Sequence, residues 1–217
     1  MNPEDSELDT EQPTYVPKLT MRRTLDEPSA DALIIGIDPG IVHTGIVAYA
    51  ICTHDPAFRT SMIYRVIDTE DAAEGDRHRL ISESVSQFLE DMLPVLAERV
   101  YATEETPMLI FIEDYRSRAS SNKPDAQMRE IVSALRRLLP LANVVDNTGS
   151  KKIARPELMR SLGLNTFRAT HHQDLQAASR IMIYGALKQE HLNALLAELL
   201  DRVLYTSKPI ITFPVEI

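Results

Sequence analysis

Three carboxylates stand where chain elements should end. Asp38 closes an apolar run that starts at Ala32, Glu113 closes another that starts at Pro107, and Asp174 opens a late helical stretch just after His171 and His172. Carboxylates gathered at one point repel one another unless a cation neutralises them. Oxygen donors with room for water suit Mg²⁺ or Mn²⁺. Two such ions about 4 Å apart can activate a water and stabilise the leaving oxygen of a phosphodiester. Each residue has a plainer role when taken alone. Asp38 before Pro39-Gly40 is a turn former, Glu113 is a solvated strand end, Asp174 is a helix cap or dipole partner, and the two histidines are surface residues. Three acids together, all at element ends, favour the chemical reading.

The elements that must position them follow from the hydrophobic pattern. Strands are expected over 32–38, 44–51, 61–67, 107–112 and 142–145, with a turn forced by Pro39-Gly40 between the first two. An apolar stripe at Leu80, Val85, Phe88, Leu89, Met92, Leu93 and Leu96 predicts a helix over 77–99, kinked or divided by Pro94. Further helices are expected over 125–139, 156–162, 172–187 and 190–204, and the segment 208–217 reads as extended. The order βββαβαβ followed by helices implies an α/β fold: a mixed five-stranded sheet with helices on both faces. If the first and fourth strands are parallel neighbours, Asp38 and Glu113 leave the same sheet edge, and a helix crossing that edge brings Asp174 beside them.

Residues 1–30 hold seven acids against three bases and few large apolar groups, so they read as a disordered acidic tail before a single domain over 31–217. The lone Cys52 excludes a disulfide scaffold and a cysteine-based zinc cluster, and fits a reducing, cytoplasmic setting. No apolar run approaches the length of a membrane span, and the polar N-terminus is not a secretory signal. The net charge of −9 argues at first against nucleic acid. Its distribution argues the other way: residues 114–160 hold ten bases against five acids, whereas 31–113 hold fifteen acids against five bases. Phosphate binding follows the local potential rather than the sum, although such bases also serve as solvated helix faces.

The stretch Ile35-Gly36-Ile37-Asp38-Pro39-Gly40, followed by Thr44-Gly45, resembles the first motif of RuvC-type Holliday junction resolvases, a branch of the RNase H-like nucleases. Ile110 to Glu113 resembles that family's second acidic strand. His171-x-x-Asp174 followed by Ala177-Ala178 resembles its final acidic helix, in the variant with His at the first position. The resemblance runs from about Leu33 to Leu187; the acidic tail and the extended C-terminal segment stand outside the family pattern.

The resemblance implies an RNase H-like fold and a homodimer whose two sites cut a four-way junction symmetrically, in DNA recombination and repair. It implies that Asp38 bridges two divalent ions, Mg²⁺ or Mn²⁺, that Glu113 and Asp174 hold one each, and that His171 ligates a metal or helps activate the attacking water. Activity should then fall as pH drops and the imidazole is protonated. Two basic segments beside the proposed edge become candidates for DNA contact: Tyr115, Arg116, Arg118 and Lys123 after the fourth strand, and Lys151, Lys152 and Arg155 after the fifth. Tyr115 has either a base-stacking or a packing role. Diverged enzymes of this kind are frequent in bacteriophages, which would place the chain in the host cytoplasm. Alternatives are a broader fork, flap or terminase-like nuclease, an RNase H, or an actin-like ATP-binding phosphotransferase, whose phosphate loop shares the strand–turn–strand opening.

Overall fold

The computed structural model describes residues 30–53, 59–115, 123–206 and 211–214. Its centre is β1 (Ala32–Asp38), apolar and buried from its first residue to Ile37. The β-branched side chains that fill it suit a strand covered on both faces. β2 (His43–Ile51) and β3 (Arg59–Asp68) follow it as an antiparallel meander. β4 (Met108–Asp114) lies on the other side of β1 and runs parallel to it, and β5 (Asn143–Asp146) runs parallel to β4. The five expected strands thus form one mixed sheet of order β5-β4-β1-β2-β3, the arrangement of an RNase H-like fold.

A sixth strand extends this sheet. The C-terminal segment expected to be extended forms β6 (Ile211–Pro214), which pairs in parallel with β3 and occupies the sheet's end. Its partner lies some 150 residues earlier, so nothing local in the sequence announces the pairing.

Period-two alternation divides the sheet's side chains between two cores. Leu33, Ile35 and Ile37 face α1 (Arg77–Arg99) and α2 (Lys123–Leu138), where Val85, Phe88, Leu89, Ile131 and Leu135 meet them. Ala32, Ile34, Val47, Tyr49 and Phe111 face the opposite layer, built on α5 (His172–Ala186) with α3 (Ser150–Ile153), α4 (Pro156–Ser161) and α6 (Glu190–Thr206). The apolar stripes of α1 and α2 therefore belong to the core. No helix among the described residues is long and apolar enough to cross a membrane.

Three local expectations need correction. Pro94 does not divide α1, which is one helix over its 23 residues. Pro94 lies on the exposed face, and so does Glu90, whose carbonyl loses its helical donor there. Lys151 and Lys152 sit on the short helix α3 rather than on a loop. Lys123 begins α2 instead of belonging to the loop before it. The tail over 1–29, and Arg116 and Arg118, lie outside the described residues.

Candidate active site at the carboxylate edge

The strand directions bring the ends of β1, β3, β4 and β5 and the start of β2 to one edge of the sheet. In the parallel pairing of β1 with β4, Ile37 is opposite Ile112. Asp38 and Glu113, one residue further on, therefore leave that edge side by side. Alternation turns both towards α5, because Asp38 follows Ile34 and Gly36 on that face and Glu113 follows Phe111. Asp114 takes the opposite face.

The first turn is held by a single buried hydroxyl. Thr44 Oγ1 accepts from the Gly40 amide and donates to the Gly40 carbonyl, both at 3.2 Å. One hydroxyl can do both, which gives the spacing from Gly40 to Thr44 its physical reason. The next residue, Gly45, lies opposite Asp38 in the hairpin. A Cβ on Gly45 would come 2.6 Å from the backbone carbonyl carbon of Asp174. On Gly36 it would come 2.7 Å from Met182 Cβ. These are closer than real Cβ contacts allow, so α5 rests directly on the backbones of β1 and β2. That approach carries Asp174, in the first turn of α5, to the two strand-borne carboxylates.

The electrostatics record the convergence. Burial away from water, then the hydrogen bond and charge of Glu113, then the charge of Asp174 push the Asp38 carboxyl up from 3.8 to about 9. The Arg180 guanidinium, further along α5, pulls it the other way. The Asp38 carboxyl is thus driven towards its protonated form beside Glu113. Such a proton is what a divalent cation displaces, and the all-oxygen donor set fits Mg²⁺ or Mn²⁺.

Glu113 has a further partner that sequence reasoning missed. Asn147 Nδ2 donates to Glu113 Oε1 at 2.6 Å. The fully buried Ser150 donates its hydroxyl to Asn147 Oδ1, which orients the amide so that its NH₂ faces Glu113. Tyr184, from α5, donates to the Thr148 carbonyl at 3.0 Å and holds the same turn from the other side. Lys151 and Lys152 follow at once, exposed, in α3. Arg155 is exposed too, with its Nε bonded back to the Lys152 carbonyl at 2.9 Å. Tyr115 donates its hydroxyl to the buried Asp125, which ties the end of β4 to α2.

His171 is placed with a different group. It caps the start of α5 in the left-handed region, at φ 59°. Its ring stacks on that of His43, with centroids 3.6 Å apart and planes 25° from parallel. His43 in turn faces Asp68, opposite it in the β2–β3 pairing, at 3.7 Å. Alternation offered a signal for both: His43 lies two residues before Gly45, and Asp68 two after Val66, on the α5 side of the sheet.

No protein-family model and no curated protein sequence matches the chain. Solved structures do match. One is described as T. thermophilus RuvC in complex with Holliday junction substrate, with 18% identity, a TM-score of 0.48, and coverage of 77% of this chain and 96% of that one. A second, described as Thermus thermophilus RuvC structure, has 18% identity, a TM-score of 0.45, and coverage of 79% and 96%. The RNase H-like assignment stands on the strand order and directions themselves.

Proposed function

We propose that this chain is a divalent-metal-dependent DNA endonuclease that resolves four-way junctions by paired, symmetric phosphodiester cuts, acting as a homodimer. The observation that carries the reading is the meeting of Asp38, Glu113 and Asp174 on one sheet edge, with Asp38 pushed up to about 9. A site that must hold a proton to tolerate its own carboxylates is suited to a cation. Asp38, Glu113 and Asp174 would hold the metal, with His171 beside them in the family pattern. Bound there, divalent ions supply water activation and stabilisation of the leaving oxygen.

The chain's own groups do the rest. Asn147 fixes which way the Glu113 carboxylate faces. Arg180 moderates the negative charge around Asp38. Lys151 and Lys152 offer charge to the phosphate backbone beside the site, which positions DNA without reading its sequence. Tyr115, Arg116, Arg118, Lys123 and Arg155 complete the proposed DNA surface.

The test is a substrate panel of four-way junction, fork, linear duplex and RNA–DNA hybrid, run in Mg²⁺ with the wild type and Asp38→Asn. Paired nicks flanking the junction crossover, made by the wild type alone while the variant still binds the junction, are expected. Preferential cutting of forks or hybrids would point to a broader nuclease. Full cleavage by Asp38→Asn, or ATP hydrolysis without any nuclease activity, would refute the proposal.

A further inference from the structure

We infer, building on the nuclease reading above, that His43 is a positioning residue: its ring holds that of His171 beside the carboxylate trio, where His171 serves the attacking water or the phosphate rather than the metal. The observation behind it is the stack of the two imidazoles, with centroids 3.6 Å apart and planes 25° from parallel.

His171 needs such a support. It is exposed and opens α5 at φ 59°, in a left-handed conformation that is uncommon outside glycine and that clusters at functional sites. Its backbone is set by the helix: the Asp174 amide donates to the His171 carbonyl at 3.1 Å, and the Asp174 backbone lies against Gly45 of β2. Its ring has no such constraint from α5. Exposed side chains change rotamer within nanoseconds, whereas a group that takes part in catalysis must stay within about 0.5 Å of its working place. Among the described residues, the ring laid against His171 is that of His43.

His43 is a fixed platform, because the residues on either side of it are both tied down. Thr69 donates its amide to the Val42 carbonyl at 2.8 Å and its hydroxyl towards the Ile41 and Val42 carbonyls, each at 3.0 Å. Thr44 is clamped to Gly40 through its own hydroxyl. His43 pairs with Asp68 across the β2–β3 ladder. Asp68 Oδ1 stands 3.7 Å from His43 Nε2 and accepts the Glu70 amide at 2.8 Å, so the edge of the ring faces a carboxylate that is itself held. One donor atom from each of His43, Asp68 and His171 lies within 4.8 Å of the other two. The His171 ring therefore belongs to the β2–β3 side of the edge, beside Asp38 and Glu113 and not between them. That place suits contact with a water or a phosphate oxygen better than ligation.

The experiment uses the full chain and two readouts. The first is the imidazole Cε1–H resonance of His171 at about pH 8.5, above the ordinary imidazole pKa, assigned by its loss in His171→Ala. The ring current of His43 should place it upfield in the wild type. It should move to the position of a free imidazole in His43→Ala, and stay upfield in His43→Phe, which keeps a flat ring. The second is single-turnover cleavage of a four-way junction across a Mg²⁺ titration. His43→Ala should cut about 10–100-fold more slowly, the loss typical of groups that orient a site's residues, with half-saturating Mg²⁺ and junction affinity unchanged. His43→Phe should recover most of the rate, and His43→Ala should cost nothing further in a His171→Ala background. A merely structural His43 would slow the His171→Ala enzyme again by the same factor, which would overturn the inference. So would a His171 resonance that ignores His43→Ala, or a defect of His43→Ala that saturating Mg²⁺ removes, since His171 would then be a ligand. A wild type that shows the upfield resonance but cuts no junction would refute the nuclease reading, and with it the role drawn here, while leaving the stack in place.

Discussion

Replacing Asp38 by Asn, which cannot ionise, should stabilise the metal-free protein while abolishing cleavage. Asp38 has its folded-state pKa raised from 3.8 to about 9. A carboxyl shifted upward contributes its full stability below the unfolded pKa, and loses it as pH rises towards the folded one. Between about pH 4 and pH 9 the wild type therefore loses stability relative to Asp38→Asn at up to about 1.4 kcal/mol per pH unit. From 3.8 to neutral pH the ceiling is roughly 4 kcal/mol. For a chain of this size that corresponds to on the order of 10 °C in melting temperature. The assay is a pair of melts across that pH range in chelator, repeated in Mg²⁺. The gap should be small near pH 4, widen towards pH 8, and narrow when Mg²⁺ supplies the charge that the proton supplied. A variant no more stable than the wild type at pH 8 in chelator, or a gap that does not change with pH, would refute the reasoning.

Other expectations follow from contacts around the same edge. Gly45→Ala should lose junction cleavage and unfold at lower temperature, since its Cβ would press on the Asp174 backbone and lift α5 from the sheet; melting and cleavage assays check both. Asn147→Ala removes the 2.6 Å bond to Glu113, and should lower activity or metal affinity about 10–100-fold, with the loss concentrated in the Mg²⁺ titration. Charge reversal at Lys151 and Lys152 should weaken DNA binding about equally across sequences and flatten its salt dependence. A titration at two salt concentrations measures this, and an unchanged slope would remove both lysines from the interface.

Much of this site could be read from residue order because each carboxylate follows an unambiguous element. The run from Ala32 to Ile37 has few β-branched alternatives to a buried strand, so the position of Asp38 at its end was secure. The glycines at 36 and 45 stood in the motif, but their reason emerged only with α5 laid against them. His43 and Asp68 were within reach of counting by twos along β2 and β3, had the register of the hairpin been known. Asn147 sits two residues beyond the buried Val145 and so shares its face. Arg180 gave no such signal, because its bearing on Asp38 depends on where α5 crosses the sheet. The four-residue α3 is too short to show a helical period, and β6 depends on a partner far away in sequence.

The parallel pairing of β1 with β4 also bears on how the chain assembles. β1, β2 and β3 are neighbours in sequence, and their hairpins close over short spans. β4 is separated from β1 in sequence by β2, β3 and α1, and non-local closure of this kind is slow. That closure brings Glu113 alongside Asp38. The part of the molecule that does the chemistry is therefore the part whose docking is opposed by its own charge. We predict that Mg²⁺ speeds the refolding of the wild type and leaves that of Asp38→Asn unchanged; equal acceleration of both in stopped-flow refolding would show that the cation acts elsewhere. On this view the cation belongs to the folding of the chain before it belongs to any reaction.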